Sequence, residues 1–391
     1  MKLSNIFTFT SLRTTNRKSS CVMLTAALIC FCLVLVSVTQ AQKVRLAPGT
    51  VFVHTALGGF ILGYDIDSNG TEGVLAEAVS LPDGNFDVAV ETFDQSTGMI
   101  LKMVKQLTET QNDFVALGIF GNNVGLIEFE KVKGGFVNQR VYGTMNPVNS
   151  GKITGMWTPP LQKGDLILGM GNSQGAANTV VLAARNFSSF VFSSDVANNT
   201  FGPTFTLSDS IFAENDSPVV DIDTQTNEAI VAASNGGVFS RPQVAFVNLS
   251  DGTTTQIQGL GFGFVNGIAA DSVKNRAVTT TEIDFSIEYY DVAKHASILV
   301  EPLHNATNQS QSGGAVAFDP VNKVFLVGQE FSSLAPSGSS IHVYNERGDF
   351  VEGINGLSLP ASPAKMALNP NTRTGFVIVT PDLTSLQSFT Y

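Results

Sequence analysis

The stretch with the strongest local claim to chemistry is DLILGMGNSQGAANTVVLAARNFSSFVFSSD, from Asp165 to Asp195. Gly169-X-Gly171-X-X-X-Gly175 follows an apolar strand and precedes a helix-compatible AANTVVLAARN, and Asp195 stands twenty residues after Gly175. This is the layout of a dinucleotide-binding unit, where glycines let backbone approach a pyrophosphate and the acid reaches a ribose. The competing reading makes Gly171 to Gly175 a loop and TVVLAA one more strand. We adopt the second, because a dinucleotide-binding sheet needs further alternating strands and helices and no other part of the chain supplies them. Nucleophilic chemistry has little to draw on: four histidines (His54, His295, His304, His342) and no G-x-S-x-G. His342, in SIHVYN, is expected to share one sheet face with Tyr344 and to lie at the surface or between sheets. Trp157 is expected to pack against a sheet edge.

The elements that would have to position any site repeat. Between Val219 and Val379 one phrase is written four times, as VVDIDTQTNEAIVAAS, GIAADSVKNRAVTTTE, GAVAFDPVNKVFLVGQ and KMALNPNTRTGFVIVT. Each copy reads as strand, turn, strand, with Asp223, Asp271, Asp319 and Asn369 as anchors at intervals of 48, 48 and 50 residues. In Asp319-Pro320-Val321-Asn322-Lys323 the residues are turn formers, Pro presetting φ and Asp or Asn capping the backbone. A second phrase, an apolar strand, a turn and an outer strand, recurs six times, for example as AFVNLSDGTTTQIQ and YYDVAKHASILVE, and SLQSFTY begins a seventh copy without finishing it. A fixed period of this length marks a repeat architecture.

Upstream the period loosens. Asp94 and Asn146 are taken as anchors of further copies, Met99 to Thr110 as a strand, and the region from Leu161 to Phe212 as one irregular unit, since Asn146 and Asp223 are 77 residues apart. With a period of 48, residues 42–391 hold about seven units. The expectation is a single all-β domain, a β-propeller with seven blades favoured and six as the alternative, in which the N-terminal strand completes the last blade and removes both free edges.

The D-P-x-[N/T]-[K/R] phrase followed by an apolar run resembles the YVTN-type propellers over most of residues 51–391. Phe264-Val265-Asn266-Gly267-Ile268-Ala269-Ala270-Asp271 resembles, more locally, the gluconolactonase and strictosidine-synthase type. That resemblance implies that Asn266 lines a central tunnel as a ligand of a divalent metal, with Asn85 and Asp216 as further ligands, Ca²⁺ as the ion, and a lactonase or related hydrolase as the activity. Gly313-Gly314 and Pro363-Ala364 stand where the family pattern would bring other polar groups. The four loops holding Asn85, Asp216, Asn266 and Gly313 are where the copies differ, and they form the candidate axial ligand site.

Residues 1–41 contain four basic side chains, no acidic one, and an apolar run from Cys21 to Val38 that ends in Val38-Thr39-Gln40-Ala41. This reads as a signal peptide cleaved after Ala41, with a retained anchor as the alternative. All three cysteines lie in that leader, so the exported part offers no disulfide and no thiolate site. Four of the 22 basic residues and none of the 33 acidic ones belong to the leader, which leaves the exported part at −15 and argues against nucleic acid or anionic membrane as partner. Sequons occur at Asn69, Asn186, Asn198, Asn215, Asn248, Asn305 and Asn308. The sequence therefore points to a secreted or cell-surface monomer that binds a protein, glycan or small molecule without a cofactor. It leans away from an enzyme, with the metal-dependent hydrolase as the alternative.

Overall fold

A computed structural model describes residues 47–68, 70–82, 86–110, 117–120, 124–133, 136–145, 155–157, 160–162, 165–172, 178–185, 188–195, 198, 200–207, 218–234, 240–281, 286–302, 311–331, 340–355, 361–379 and 383–391. The leader lies outside them. Leu46–Tyr391 form one compact unit.

Among the described residues 28 strands fall into seven four-stranded antiparallel sheets. β1 (Ala47–His54) is the first strand among the described residues. Sheet I contains β2 (Phe60–Ile66), β3 (Glu72–Ser80), β4 (Phe86–Asp94) and β5 (Ile100–Thr110). Sheet II contains β6 (Leu117–Phe120), β7 (Val124–Lys133), β8 (Phe136–Met145) and β9 (Gly155–Trp157). Sheet III contains β10 (Leu166–Asn172), β11 (Asn178–Arg185), β12 (Ser188–Asp195) and β13 (Thr200–Thr206). Sheet IV contains β14 (Val219–Asp223), β15 (Glu228–Ala233), β16 (Gln243–Asn248) and β17 (Thr254–Gln258). Sheet V contains β18 (Val265–Asp271), β19 (Arg276–Thr281), β20 (Ser286–Asp291) and β21 (Ala296–Pro302). Sheet VI contains β22 (Gln311–Asp319), β23 (Val324–Phe331), β24 (Ser340–Asn345) and β25 (Phe350–Asn355). Sheet VII contains β26 (Ala361–Asn369), β27 (Thr374–Val379) and β28 (Ser385–Thr390), and β1 is its fourth strand.

The first strands of consecutive sheets touch one another, β10 with β14, β14 with β18, β18 with β22 and β22 with β26, and β26 meets β2, so these strands line the inside of a ring. The ring closes as expected: β1 pairs antiparallel with β28, Val53 opposite Leu386 and His54 opposite Ser385, so SLQSFTY receives its outer strand from the other end of the chain. No sheet edge is left at the seam. The core lies between neighbouring sheets. Val180, Leu182, Val220, Ile222, Val231 and Val247 fill the space between sheets III and IV, and Tyr64, Phe93, Phe376 and Leu386 the space between I and VII. Alternating β-branched and aromatic residues on each strand supply both faces of this packing.

The repeated turns bind their own backbone. Asp319 Oδ1 accepts the N–H groups of Val321 (2.8 Å) and Asn322 (2.9 Å), and Asp223 does the same for Gln225 (2.9 Å) and Thr226 (3.2 Å). Four residues after each anchor, Asn227, Asn275, Lys323 and Arg373 take φ of 56°, 51°, 56° and 53°, the left-handed step that lets the chain re-enter a strand. Consecutive turns are also linked: Thr224 N–H donates to Ser272 Oγ (3.0 Å) and Asn371 Nδ2 to the Ser68 carbonyl (3.1 Å). Asp319→Ala should lower stability by about 1–2 kcal/mol, since it strips the acceptor from two N–H groups. A urea unfolding midpoint indistinguishable from the parent would contradict this role.

Two upstream expectations are corrected. Asp94 ends β4, the third strand of sheet I, so its turn joins third to fourth strand and not first to second; the first-to-second turn is at Asp67. Asn146 likewise follows β8, the third strand of sheet II, although the residue itself lies outside the described ones. The long interval from Asn146 to Asp223 therefore reflects a phase error of half a unit, and sheet III is a regular four-stranded sheet. Met99 to Thr110 was expected as a strand, and Ile100–Thr110 is one.

The inner strands approach each other most closely at glycines. A Cβ at Gly267 would stand 2.6 Å from the Gly314 carbonyl oxygen and 2.7 Å from Val316 N, and one at Gly171 would overlap Asp221 Cα. Beside the second contact, Asp221 is buried on β14; its Oδ2 accepts the N–H of Ala270 on β18 (2.8 Å) and its Oδ1 that of Ile222 (2.8 Å). Burial raises its pKa from 3.8 to about 8, the two N–H groups oppose the rise, and neighbouring Asp223 adds to it.

Candidate functional site: a pinned apolar loop at one end of the ring

First-to-second and third-to-fourth connections lie at one end of the ring, and second-to-third connections and the links between sheets at the other; sheet VII, whose fourth strand is β1, has no third-to-fourth connection. At this second end two links leading into inner strands are held from beneath by buried carboxylates. The link between β17 and β18, Gly259-Leu260-Gly261-Phe262-Gly263-Phe264, rests on Glu288 of β20: Oε1 accepts from Leu260 N–H (2.8 Å) and Ser297 Oγ–H (2.5 Å), and Oε2 from Gly261 N–H (3.1 Å). Glu288 is fully buried, so these bonds replace the hydrogen bonds to water that its carboxyl group has lost. The link is tied on its other side to sheet IV by Gly259 N–H to the Pro242 carbonyl (2.8 Å), Gly263 N–H to the Ser240 carbonyl (3.0 Å) and Val265 N–H to Ser234 Oγ (3.0 Å). Gly263 has φ of 103°, a conformation a side chain would strain.

With its backbone consumed in this way, the loop turns its side chains outward. Leu260, Phe262 and Phe264 are 47%, 39% and 36% exposed. The guanidinium of Arg241, itself exposed, lies over the Phe262 ring at 5.3 Å.

The second link, between β1 and β2, follows the same plan. Ala56 N–H donates to both oxygens of Glu91 (3.2 and 3.1 Å), while Leu57 N–H and Gly59 N–H donate to Glu77 Oε1 and Oε2 (3.1 Å each). Both acids are fully buried, on β4 and β3. Burial, and after it the nearby Glu77 side chain, raises the Glu91 pKa from 4.5 to about 8 against the opposing bond from Ala56. Leu57 points outward here, and so does Leu383, whose carbonyl accepts the Ile61 N–H (2.7 Å).

Of the residues singled out from sequence, Asn266 is half-buried in β18, at a β-bulge between the Val265–Thr281 and Gly267–Thr280 pairs. Gly313 lies in β22, the neighbouring inner strand. Asn85, which precedes the third strand of sheet I, and Asp216, which precedes β14, are outside the described residues. The inner-strand positions equivalent to Asn266 are Leu62, Leu168, Pro218, Gly314 and Ala364, five residues or so ahead of each turn, and none carries a side-chain oxygen. Among the described residues no group of three or more His, Cys, Asp or Glu side chains is placed to hold a metal ion. The dinucleotide-like phrase resolves into antiparallel strands, AANTVVLAARN supplying β11, and Gly171 serves strand packing.

His342 is buried on β24, its ring edge-on to Phe350 at 5.4 Å, and His295 bridges sheets by bonding Glu228 (2.8 Å). His304 lies outside the described residues, as do Asn69, Asn186, Asn215, Asn305 and Asn308. Asn198 and Asn248 belong to third-to-fourth turns; Asn198 Nδ2 donates to Asp195 (2.7 Å) and Asn248 Oδ1 accepts from Ser250 N–H (2.8 Å).

Solved structures with the same arrangement include the β-propeller domain of Cps50 (Swd1) from Myceliophteria thermophila, with TM-score 0.56, 9% identity, and 88% of this chain and 99% of that one covered. The WD40 domain of Neurospora crassa Pan2 gives 0.58, 10%, 89% and 96%, and the WD40 repeats of RRP9 give 0.59, 11%, 88% and 99%. The chain is a β-propeller. No protein-family model and no curated protein matches the sequence. At these identities the likeness concerns the propeller's shape, and what it does must be argued from its own side chains.

The sequence reading did not single out Leu260, Phe262, Phe264, Arg241 or the three glutamates. The loop was nevertheless marked: GLGFGF has six residues and no polar side chain where a surface connection should be polar.

Proposed function

We propose that this propeller is an exported interaction module that receives a protein partner on the end of the ring carrying Gly259 to Phe264. The observation behind the reading is that three large apolar side chains are partly exposed on a loop whose Gly259, Leu260, Gly261 and Gly263 N–H groups are bound from below and from the side. A loop free to collapse would bury such side chains, whereas a loop held open presents them at little further entropic cost to a partner. Aromatic residues in a fixed setting are the usual energetic centre of a protein interface. Export rests on the basic and apolar leader and on the confinement of cysteine to it.

A photo-reactive amino acid placed at Leu260 in the exported protein should cross-link one polypeptide in the native medium, and the adduct should disappear when Phe262 and Phe264 are both changed to Asp. The same probe at Val273, on a turn at the opposite end, should give no such adduct. Equal labelling from both ends, or from neither, would overturn the reading.

A further inference from the structure

Arg241 and Phe262 carry the reading of this face one step further, to the kind of partner. A guanidinium has five N–H donors in one plane and no acceptor. The Cζ of Arg241 stands 5.3 Å from the centre of the Phe262 ring, within reach of a cation–π contact. Among the described residues no carboxylate and no carbonyl bonds this guanidinium, although Arg185, at the same end of the propeller, is paired with Asp165 (2.7 and 2.5 Å). The nearest acid in the loop's own support, Glu288, has both oxygens occupied by Leu260, Gly261 and Ser297. The surface thus sets an exposed guanidinium, held against an aromatic ring, beside three partly exposed apolar side chains. Planar carboxylate is the group a guanidinium fits bidentately, and stacking on an aromatic ring lowers the entropy lost in forming the bonds.

We infer that the Gly259 to Phe264 loop binds a peptide segment in which a carboxylate side chain lies next to a large apolar one, the carboxylate on Arg241 and the apolar group on Leu260 and Phe264. This inference rests on the interaction reading above. The chain's net charge of −11 repels such a segment at long range, so the recognition is a contact effect without electrostatic steering.

A phage-displayed random dodecapeptide library, selected against the exported protein, tests both levels. Enriched peptides should carry Asp or Glu within a few positions of Phe, Leu, Trp or Met. Their affinity should fall about tenfold in Arg241→Ala. Selection against Arg241→Glu should move the enriched charge to Lys or Arg, a change that lost packing alone would not produce. Peptides that depend on Phe262 and Phe264 but are lysine-rich on the parent protein, or indifferent to Arg241→Glu, overturn the inference and leave the interaction surface standing. Absence of any peptide that depends on this loop overturns both.

Discussion

The melting temperature of residues 42–391 is expected to be highest near pH 4 and to fall continuously up to about pH 9. Three buried acids set this direction. The pKa values of Asp221 and Glu91 are pushed up to about 8 and that of Asp223 to about 6, burial being the first cause in each case. A carboxyl whose pKa is higher folded than unfolded binds its proton more tightly in the native state. Its contribution is therefore complete below the unfolded value, near 4, and is lost as pH rises to the folded one. For Asp221 alone the loss is on the order of 5 kcal/mol. Exposed Asp94, whose pKa is lowered by Ser96 and Thr97, acts in the opposite direction and only below about pH 4.

Glu91→Gln isolates one contribution. A glutamine keeps an oxygen for the Ala56 N–H and offers Nε2 to Glu77, which reproduces the protonated acid at every pH. The variant should match the parent at pH 4 and melt higher at pH 9. Parallel curves for the two proteins would show that Glu91 does not hold its proton more tightly in the folded state.

The second large effect concerns two glycines of a single phrase. Gly171→Ala should cost about 3 kcal/mol or more, because the added methyl group meets the backbone of Asp221 on the next inner strand and cannot be moved aside by a rotamer change. Gly169→Ala should be tolerated, since its nearest neighbour would be Val220 Cγ1 at 3.4 Å, an ordinary contact. Urea denaturation of the two variants separates a glycine required by ring packing from one that merely occurs beside it. Equal losses would remove the close approach of β10 and β14 as the explanation. Gly267→Ala, against Gly314 and Val316, should behave like Gly171→Ala.

The ring was legible in the sequence because its turns are made of local chemistry. Asp319 and Asp223 bind N–H groups two and three residues away, so the anchor and its spacing are visible without knowing any tertiary contact. The completion of sheet VII could be read from SLQSFTY, which starts the recurring outer phrase as a third strand and finds its partner in β1. Phase was harder. Asp94 makes the same kind of turn as Asp319, with Oδ1 accepting from Ser96 and Thr97, yet it joins the outer strands. Turn chemistry alone cannot tell the inner hairpin from the outer one, and half a unit of slip produced the supposed irregularity after Asn146. The site was hidden for a different reason. Glu288 and Leu260 are 28 residues apart and Glu91 and Ala56 are 35, so each pin depends on tertiary contact and leaves no local pattern. Asn266 stood out by its likeness to a family phrase, whereas the exposed loop directly before it carried the less familiar signal.

The seam between β1 and β28 also orders events in time. Val51 N–H bonds Ser388 Oγ across 337 residues, while a sheet within the chain closes over about one 48-residue period. Closing a chain segment seven times longer costs only about 1.7 kcal/mol more in entropy, so the equilibrium scarcely registers the seam. The rate does, because a strand translated first must wait for one translated last. Until β28 has been made β1 is an unpaired edge, and sheet VII cannot be completed before then. In pulse-labelling hydrogen exchange the amides of β1 should be among the last to gain protection; early protection there would place ring closure before the sheets it joins.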